Sequence, residues 1–263
     1  MNSLETIRAA ILQFDIRKGD VEWNVAIVKR RIAGLAKQGV RLILLPEMWA
    51  TGFANERLVE LSENTPWVLE HLSEVSKTLH LTIIGSLPEK TGSVIYNTAY
   101  VVDRDGSIAG IYRKIHLFSP TGEDHYFEPG RKAVVSKTSL GPIGLMICYD
   151  LRFPELCRSL VLDGATMVAI MAEWPAERVT HWDALLKARA IENQVFVLGA
   201  NRCGTDGSLV YAGHSRIISP CGQVMARAGK RPAALLATID LRLVQQTRKQ
   251  IPCLRERVPE AYG

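Results

Sequence analysis

Three ionisable side chains of different chemistry stand at the ends of apolar runs. Cys148 closes GPIGLMIC just before the turn YDLRFPEL, Glu47 follows RLILLP, and Lys114 follows GSIAGIYR. Each alone has an ordinary use. A cysteine beside Ile and Met packs as a small hydrophobe, a carboxylate past a strand is solvated, and a lysine there lies on the surface. Together they make a complete nucleophilic set. A thiol with a reference pKa of about 8.5 is mostly protonated at neutral pH, so it needs a base or a cation beside it. Glu47 could take the thiol proton. Lys114 would face the oxyanion that forms when sulfur attacks a carbonyl carbon. The N–H of Tyr149, in the strand-to-helix turn after Cys148, is a second oxyanion donor. This chemistry requires no histidine.

These groups act together only if the elements that carry them meet. IRAAILQFDI, residues 7–16, reads as a strand. Val21, Val25, Val28, Ile32 and Leu35 then recur at alternating spacings of four and three, an amphipathic helix that Gly39 stops. RLILL is a buried strand. Thr65-Pro66 opens a second helix, with Thr65 as N-cap and Pro66 in the first turn. Val68, Leu72, Val75 and Leu79 are its apolar stripe. LTIIGSL is a strand, and VIYNTAYVVD and SIAGIYRKI flank the turn Arg104-Asp105-Gly106 as a hairpin.

The second half repeats that order. PIGLMIC, ATMVAIMA and QVFVLGAN are strands, with PELCRSLVLDG and THWDALLKARAIEN as the helices between them. Thr180 and Asp183 suggest a capping box. GHSRIISPCGQVMARA is a hairpin around Pro220-Cys221-Gly222, and AALLATIDL closes the sheet. The repeat is one of architecture without matching residues. It predicts an α/β fold, a four-layer α-β-β-α sandwich of two stacked mixed sheets. In open α/β sheets ligands bind beyond the carboxyl ends of the strands, where Cys148, Glu47 and Lys114 sit. No linker separates the halves, so residues 1–263 are expected to form a single domain. Residues 242–263, with two prolines and mixed polarity, are expected to form an arm that docks on a partner subunit.

Composition narrows the function. Apolar residues make up 47% and charged residues 22% of the chain, as in ordinary globular proteins. Its net charge of +5 is scattered, and its densest run, Lys29-Arg30-Arg31, lies on the polar face of a helix without interleaved aromatics, which argues against nucleic acid. Five cysteines with no CxxC pair argue against a disulfide framework or a thiolate zinc site and fit a reducing cytosol. The N-terminal apolar stretch is only strand-length, so neither a signal peptide nor a membrane span is expected.

The chain resembles the nitrilase superfamily of carbon–nitrogen hydrolases in LLPEMWATGF, YRKIHLF and CYDLRFPEL, which fall in the family order. GEDHYFEPG, WPAERVTHWDALLKARAIENQVFVLGANR and YAGHSRIISPCGQV extend the resemblance over roughly residues 5–260. It implies a catalytic triad of Glu47, Lys114 and Cys148. It also implies a second glutamate after the lysine, Glu123 in SPTGEDHYF, with Glu128 in FEPG as its rival. True nitrilases usually carry Cys-Trp-Glu at the nucleophile. CYDLRFP is instead similar to the omega-amidase branch, which acts on 2-oxoglutaramate and 2-oxosuccinamate. A nitrilase or N-carbamoyl amino acid amidohydrolase with the same triad remains the alternative. A substrate carboxylate needs a cation, and Arg178, in the loop before the Thr180 helix, is the candidate clamp. Trp174 and His181 are candidate pocket residues. Arg152 is expected to pair with an acidic neighbour and brace the turn, and His116 to pack or to support the site from behind. The resemblance implies no metal or organic cofactor. The expected partners are a small carboxylate-bearing amide and further copies of the chain, as a cytoplasmic homodimer or higher homo-oligomer.

Overall fold

A computed structural model describes residues 6–261. In chain order the strands are β1 (Thr6–Gln13), β2 (Leu42–Leu44), β3 (Thr82–Thr91), β4 (Val94–Val102), β5 (Ile108–Arg113), β6 (Val135–Thr138) and β7 (Gly141–Ile147). They continue with β8 (Met167–Ala172), β9 (Phe196–Asn201), β10 (Cys203–Asp206), β11 (Leu209–Ala212), β12 (Arg216–Ile218), β13 (Val224–Arg227) and β14 (Ala233–Asp240). The helices are α1 (Val21–Ala36), α2 (Leu58–Ser62), α3 (Thr65–Leu79), α4 (Pro154–Leu162), α5 (Val179–Asn193) and α6 (Arg242–Gln250).

Two six-stranded mixed sheets run β14-β1-β2-β3-β4-β5 and β13-β12-β9-β8-β7-β6. In each, a parallel trio (β1-β2-β3, or β7-β8-β9) is flanked by antiparallel strands. Side-chain alternation assigns the layers. Ile7, Ala9 and Ile11 of β1 join the core shared with the second sheet, whereas Ala10 and Leu12 join the core under α1 and α3. Helices α4 and α5 cover the outer face of the second sheet, through Leu160, Leu186 and Ala190. The order is therefore α-β-β-α. Every residue of β8 is buried, as a strand covered on both faces must be.

The helix stripes lie where their periodicity places them: Val21, Val25, Val28, Ile32 and Leu35 are buried on α1. Three local expectations fail. Asn64, not Thr65, precedes α3, and the Thr65 hydroxyl donates to the Pro88 carbonyl at 2.6 Å. There is no capping box on α5, because Asp183 is drawn to Arg216 and His214 on the neighbouring strand and loop. AALLATIDL, as β14, does not close the second sheet; it crosses to the first and pairs with β1. Strands β6, β10 and β11 were not foreseen. Of the expected arm, residues 242–250 are helix α6, whose Val244 and Thr247 are buried against the same chain. Residues 1–5 and 262–263 lie outside the described residues. Among those described, no helix is long and apolar enough to cross a membrane.

Candidate active site

The parallel strands β2 and β7 and the antiparallel β5 end at one pocket of about 280 Å³, and each delivers one of the singled-out side chains to it. Glu47 stands three residues past β2, Lys114 directly past β5, and Cys148 directly past β7. Glu123, on a 3-10 turn of the loop after Lys114, also lines the pocket. The rival Glu128 is exposed, and only its backbone N–H is engaged, donating to the Ile95 carbonyl.

The chain turns sharply at the nucleophile. Cys148 has φ +47°, in the left-handed region that costs a non-glycine residue about 1–2 kcal/mol. Asp150 holds this turn. Its fully buried carboxylate accepts the Ile147 N–H at 2.8 Å, the Tyr112 hydroxyl at 2.7 Å and the His116 N–H at 3.0 Å. The His116 ring lies 2.7 Å from Asp150 through Nδ1 and stacks on Phe153 at 3.6 Å. His116 therefore supports the turn from behind, as expected.

Lys114 is bound on two sides. Its Nζ donates to Glu47 Oε1 at 2.9 Å and to Glu123 Oε1 and Oε2 at 2.7 and 2.8 Å. Glu47 also accepts from Asn97 Nδ2 at 2.8 Å and, on Oε2, from the Glu173 N–H at 2.9 Å. The Phe118 N–H donates to Glu123 Oε2 at 2.7 Å. Glu47, Lys114 and Glu123 are all at most 5% exposed. At that depth, charges persist only when paired.

The electrostatics follow from this geometry. Burial pushes the Cys148 thiol well above its usual range, and the negative charge of Glu47 pushes it further; Lys114 opposes both. Burial also raises Glu47, against the opposing charge of Lys114. Burial alone would lower Lys114, but Glu47 and Glu123 outweigh it and raise the amine. The resting arrangement is a neutral thiol beside a carboxylate that an ammonium holds in place. Such a group of side chains can generate a nucleophilic sulfur only as the proton leaves for the carboxylate.

The remaining candidates divide. Tyr149, Trp174 and Arg178 line the pocket. Tyr149 is in the first turn after β7, where N–H groups lack intrahelical acceptors. Trp174 is buried, its indole N–H donating to the Arg178 carbonyl at 2.8 Å. Arg178 lies 2.8 Å from Glu177 and over the Phe118 ring. His181 is exposed and absent from the pocket wall; its Nδ1 meets Arg152 Nη2 at 3.3 Å. Arg152 departs from expectation too. Its guanidinium covers the Trp174 ring at 4.8 Å and lines the pocket, where an acidic neighbour was expected.

Four contributors went unforeseen: Asn97, Glu173, Asn201 and Arg202. Asn201 clamps the loop after β8, its Oδ1 accepting the Trp174 N–H at 2.7 Å and its Nδ2 donating to the Trp174 carbonyl at 3.1 Å. Arg202 Nη1 donates to Glu173 Oε2 at 2.7 Å, both side chains being essentially unexposed. Asn201 ends the strand QVFVLGAN and Arg202 is the first residue past it, so the strand-end reasoning applied to Cys148 would also have reached them. Asn97 gave no such signal, being one polar residue inside a strand. Among the described residues, no cluster of three or more His, Cys, Asp or Glu could hold a metal ion.

A family model described as carbon-nitrogen hydrolase matches residues 8–249. The chain is 37% identical over 253 residues to the 2-oxoglutaramate amidase of Bacillus subtilis, covering 95% of this chain and 97% of that one. A crystal structure of a carbon-nitrogen hydrolase from Helicobacter pylori superposes with a TM-score of 0.93 at 26% identity, over 98% of this chain and 97% of that one. A second similar structure is a glutamate-to-glutamine variant of the amidase from Nesterenkonia sp. AN1. It carries the acetamide moiety of fluoroacetamide on its active-site cysteine, with a TM-score of 0.87 at 26% identity over 97% and 95% of the two chains.

Proposed function

The chain belongs to the carbon-nitrogen hydrolase family, and from that premise we propose that it hydrolyses a small carboxamide bearing a carboxylate, an omega-amide such as 2-oxoglutaramate, to the acid and ammonia. One observation carries the reading: the Cys148 thiol lines the same pocket as a Glu47 carboxylate that Lys114 holds at 2.9 Å.

The proposed reaction conserves protons at each step. Glu47 takes the thiol proton as sulfur attacks the amide carbon. Lys114 and the Tyr149 N–H face the oxyanion that develops. Glu47 passes its proton to the nitrogen, the C–N bond breaks, ammonia leaves, and a thioester remains. Glu47 then takes a proton from water as the water oxygen attacks the thioester carbon. The C–S bond breaks and that proton returns to sulfur. Glu123 anchors Lys114 through both of its carboxylate oxygens.

For the substrate carboxylate, two guanidinium groups line the pocket. Arg178 has Glu177 as a partner, whereas Arg152 meets only an aromatic ring and a histidine there. Both are assigned to carboxylate binding, Arg152 being the cation without a carboxylate of its own. We further propose a single cytoplasmic domain that assembles as a homodimer or higher homo-oligomer through residues beyond α6. Ile251, 64% exposed at the start of that segment, supports this reading. Light scattering on the purified protein tests it, and a monomeric mass would end it.

The decisive assay measures ammonia release from 2-oxoglutaramate, glutamine, an aliphatic nitrile and an N-carbamoyl amino acid side by side. We expect 2-oxoglutaramate to be fastest, and Cys148→Ala to lose at least about a thousandfold in rate while keeping its fold. Preference for the nitrile or the carbamoyl compound, or ammonia release by Cys148→Ala, would contradict the assignment.

A further inference from the structure

Glu173 is a third buried carboxylate at the site, one for which the reaction above has no use. It is the first residue after β8, and its side chain is 1% exposed. It touches the machinery twice. Its backbone N–H donates to Glu47 Oε2 at 2.9 Å, and its own Oε2 is held by Arg202 Nη1 at 2.7 Å. Its Oε1 is buried without a hydrogen-bond partner. Arg202 is fixed in turn by the Ile16 carbonyl at 2.9 Å and by Asp15 at 3.3 Å, so the ion pair is rigidly mounted.

We propose that Glu173 is a positioning residue whose amide orients Glu47 and whose carboxylate, when ionised, drives the Cys148 proton onto Glu47. The proposal rests on Glu47 being the proton acceptor. Its logic is electrostatic. Transfer of the thiol proton moves a negative charge from Glu47 to the sulfur. A carboxylate next to Glu47 repels charge from the Glu47 end of that path. The Glu173 amide lowers the proton affinity of Glu47 at every pH, whereas the negative charges of Glu173 and Glu47 raise one another's and are present together only once Glu173 ionises. An ionised Glu173 therefore favours thiolate beside protonated Glu47.

Glu173 can switch this push on and off. Burial raises its pKa to about 7, Arg202 pulls it down, and Glu47 and Asp206 add to the rise. The charged and titratable groups facing it are Arg202 from the end of β9, Glu47 from the loop after β2, Asp206 from β10 and Tyr211 from β11. Below neutrality the push is absent; above it the push is present.

The test follows alkylation of Cys148 by iodoacetamide from pH 5.5 to 8.5, read on the Cys148 peptide by mass spectrometry because Cys221 and Cys253, more exposed than Cys148, react as well. The readout is alkylation at sulfur and does not depend on amide turnover. Wild-type alkylation is expected to rise about three- to tenfold through an inflection near neutral pH. Glu173→Gln keeps the amide and removes the charge. Its profile should stay at the low-pH level through this range. The double variant Glu173→Gln with Arg202→Gln, which leaves no orphan charge, should do the same. A wild-type profile without an inflection between pH 6 and 8 overturns the proposal and needs no variant. An inflection that persists in Glu173→Gln overturns it too, since it then belongs to another group. Glu47→Gln separates the two readings. Wild-type alkylation kinetics in that variant would remove Glu47 as the acceptor, whereas an altered Glu47→Gln profile beside an unaltered Glu173→Gln profile would refute this proposal alone.

Discussion

Asn97 sits where two carboxylates approach one ammonium, and it is the neutral donor between them. Its Nδ2 lies 2.8 Å from Glu47 Oε1 and 3.5 Å from Glu123 Oε1. Without it Glu47 would keep Lys114 and the Glu173 N–H but lose the contact that turns its Oε1 edge. A hydrogen bond to a charged group contributes about 1.5–3 kcal/mol. Asn97→Ala is therefore expected to lower kcat/KM by roughly ten- to a hundredfold, with substrate-independent loss of Cys148 alkylation to match. Asn97→Asp, which adds a further negative charge, should be worse. Unchanged kcat/KM in Asn97→Ala would show that Lys114 alone orients Glu47. This residue also marks the limit of reading a site from sequence. Cys148, Glu47 and Lys114 each have an ordinary use alone, and stand out because a thiol, a carboxylate and an amine at three strand ends together make a nucleophilic set. Asn97 lies mid-strand in VIYNTAYVVD, where a polar residue reads equally as a solvent-facing one. Only the second sheet, packed against that face, makes it buried and useful.

The elements that carry these residues are set by short-range contacts as much as by propensity. The loop of residues 115–130 returns to β5 through Gly130, whose N–H donates to the Lys114 carbonyl at 2.7 Å. A Cβ built on Gly130 would sit 2.1 Å from the Arg113 carbonyl oxygen, so only glycine permits this approach. Lys114 and Glu123 are placed together by that closure. Gly130→Ala is thus expected to destabilise the fold by roughly 1–3 kcal/mol, as a small overpacking does, and to reduce turnover more than stability alone explains. Denaturant unfolding and kcat on the folded fraction check both parts. Full activity of the folded fraction would mean that the loop holds its register without this contact. Periodicity located α1 and α3 because each shows one apolar face, and the parallel strands read as short continuous apolar runs because both of their faces are covered. It misassigned Thr65 and Asp183 because a capping motif is local, and a carbonyl or an arginine from another element competed successfully for those side chains. Strands β6, β10 and β11 have four residues each, too few for alternation to register.

Across the whole molecule, the two halves are not independent copies. Each sheet needs an antiparallel strand beside its first parallel one. The second sheet takes β6 from the segment just before β7, whereas the first takes β14 from the far end of the chain. Strand β14 pairs with β1 along its full length, from Thr6↔Asp240 to Gln13↔Ala233. Gln13 adds bonds to the Gly229 and Arg231 carbonyls, both at 2.7 Å. The alternation of AALLATIDL specifies a strand and a buried face but not which sheet receives it, so this crossing was invisible before the structure. The consequence is a stability that depends on closing the chain's two ends together. A chain ending at Pro232 would leave the β1 edge open and strip Leu235, Ile239 and Val244 from the core. Losing three buried aliphatic side chains and a full ladder of backbone bonds is comparable to the whole 5–15 kcal/mol by which a domain is typically stable. Such a chain is expected to show no cooperative thermal transition by circular dichroism. A chain ending at Ile251 keeps β14, α6 and the bonds from Gln194 to Thr247 and Ile251. Of the described core packing it loses the partial burial of Leu254, and its Tm is expected to fall by no more than about 4 °C. Should the Pro232 truncation melt cooperatively near the full-length temperature, the first sheet closes without β14, and the crossing is an ornament of the fold instead of its clasp.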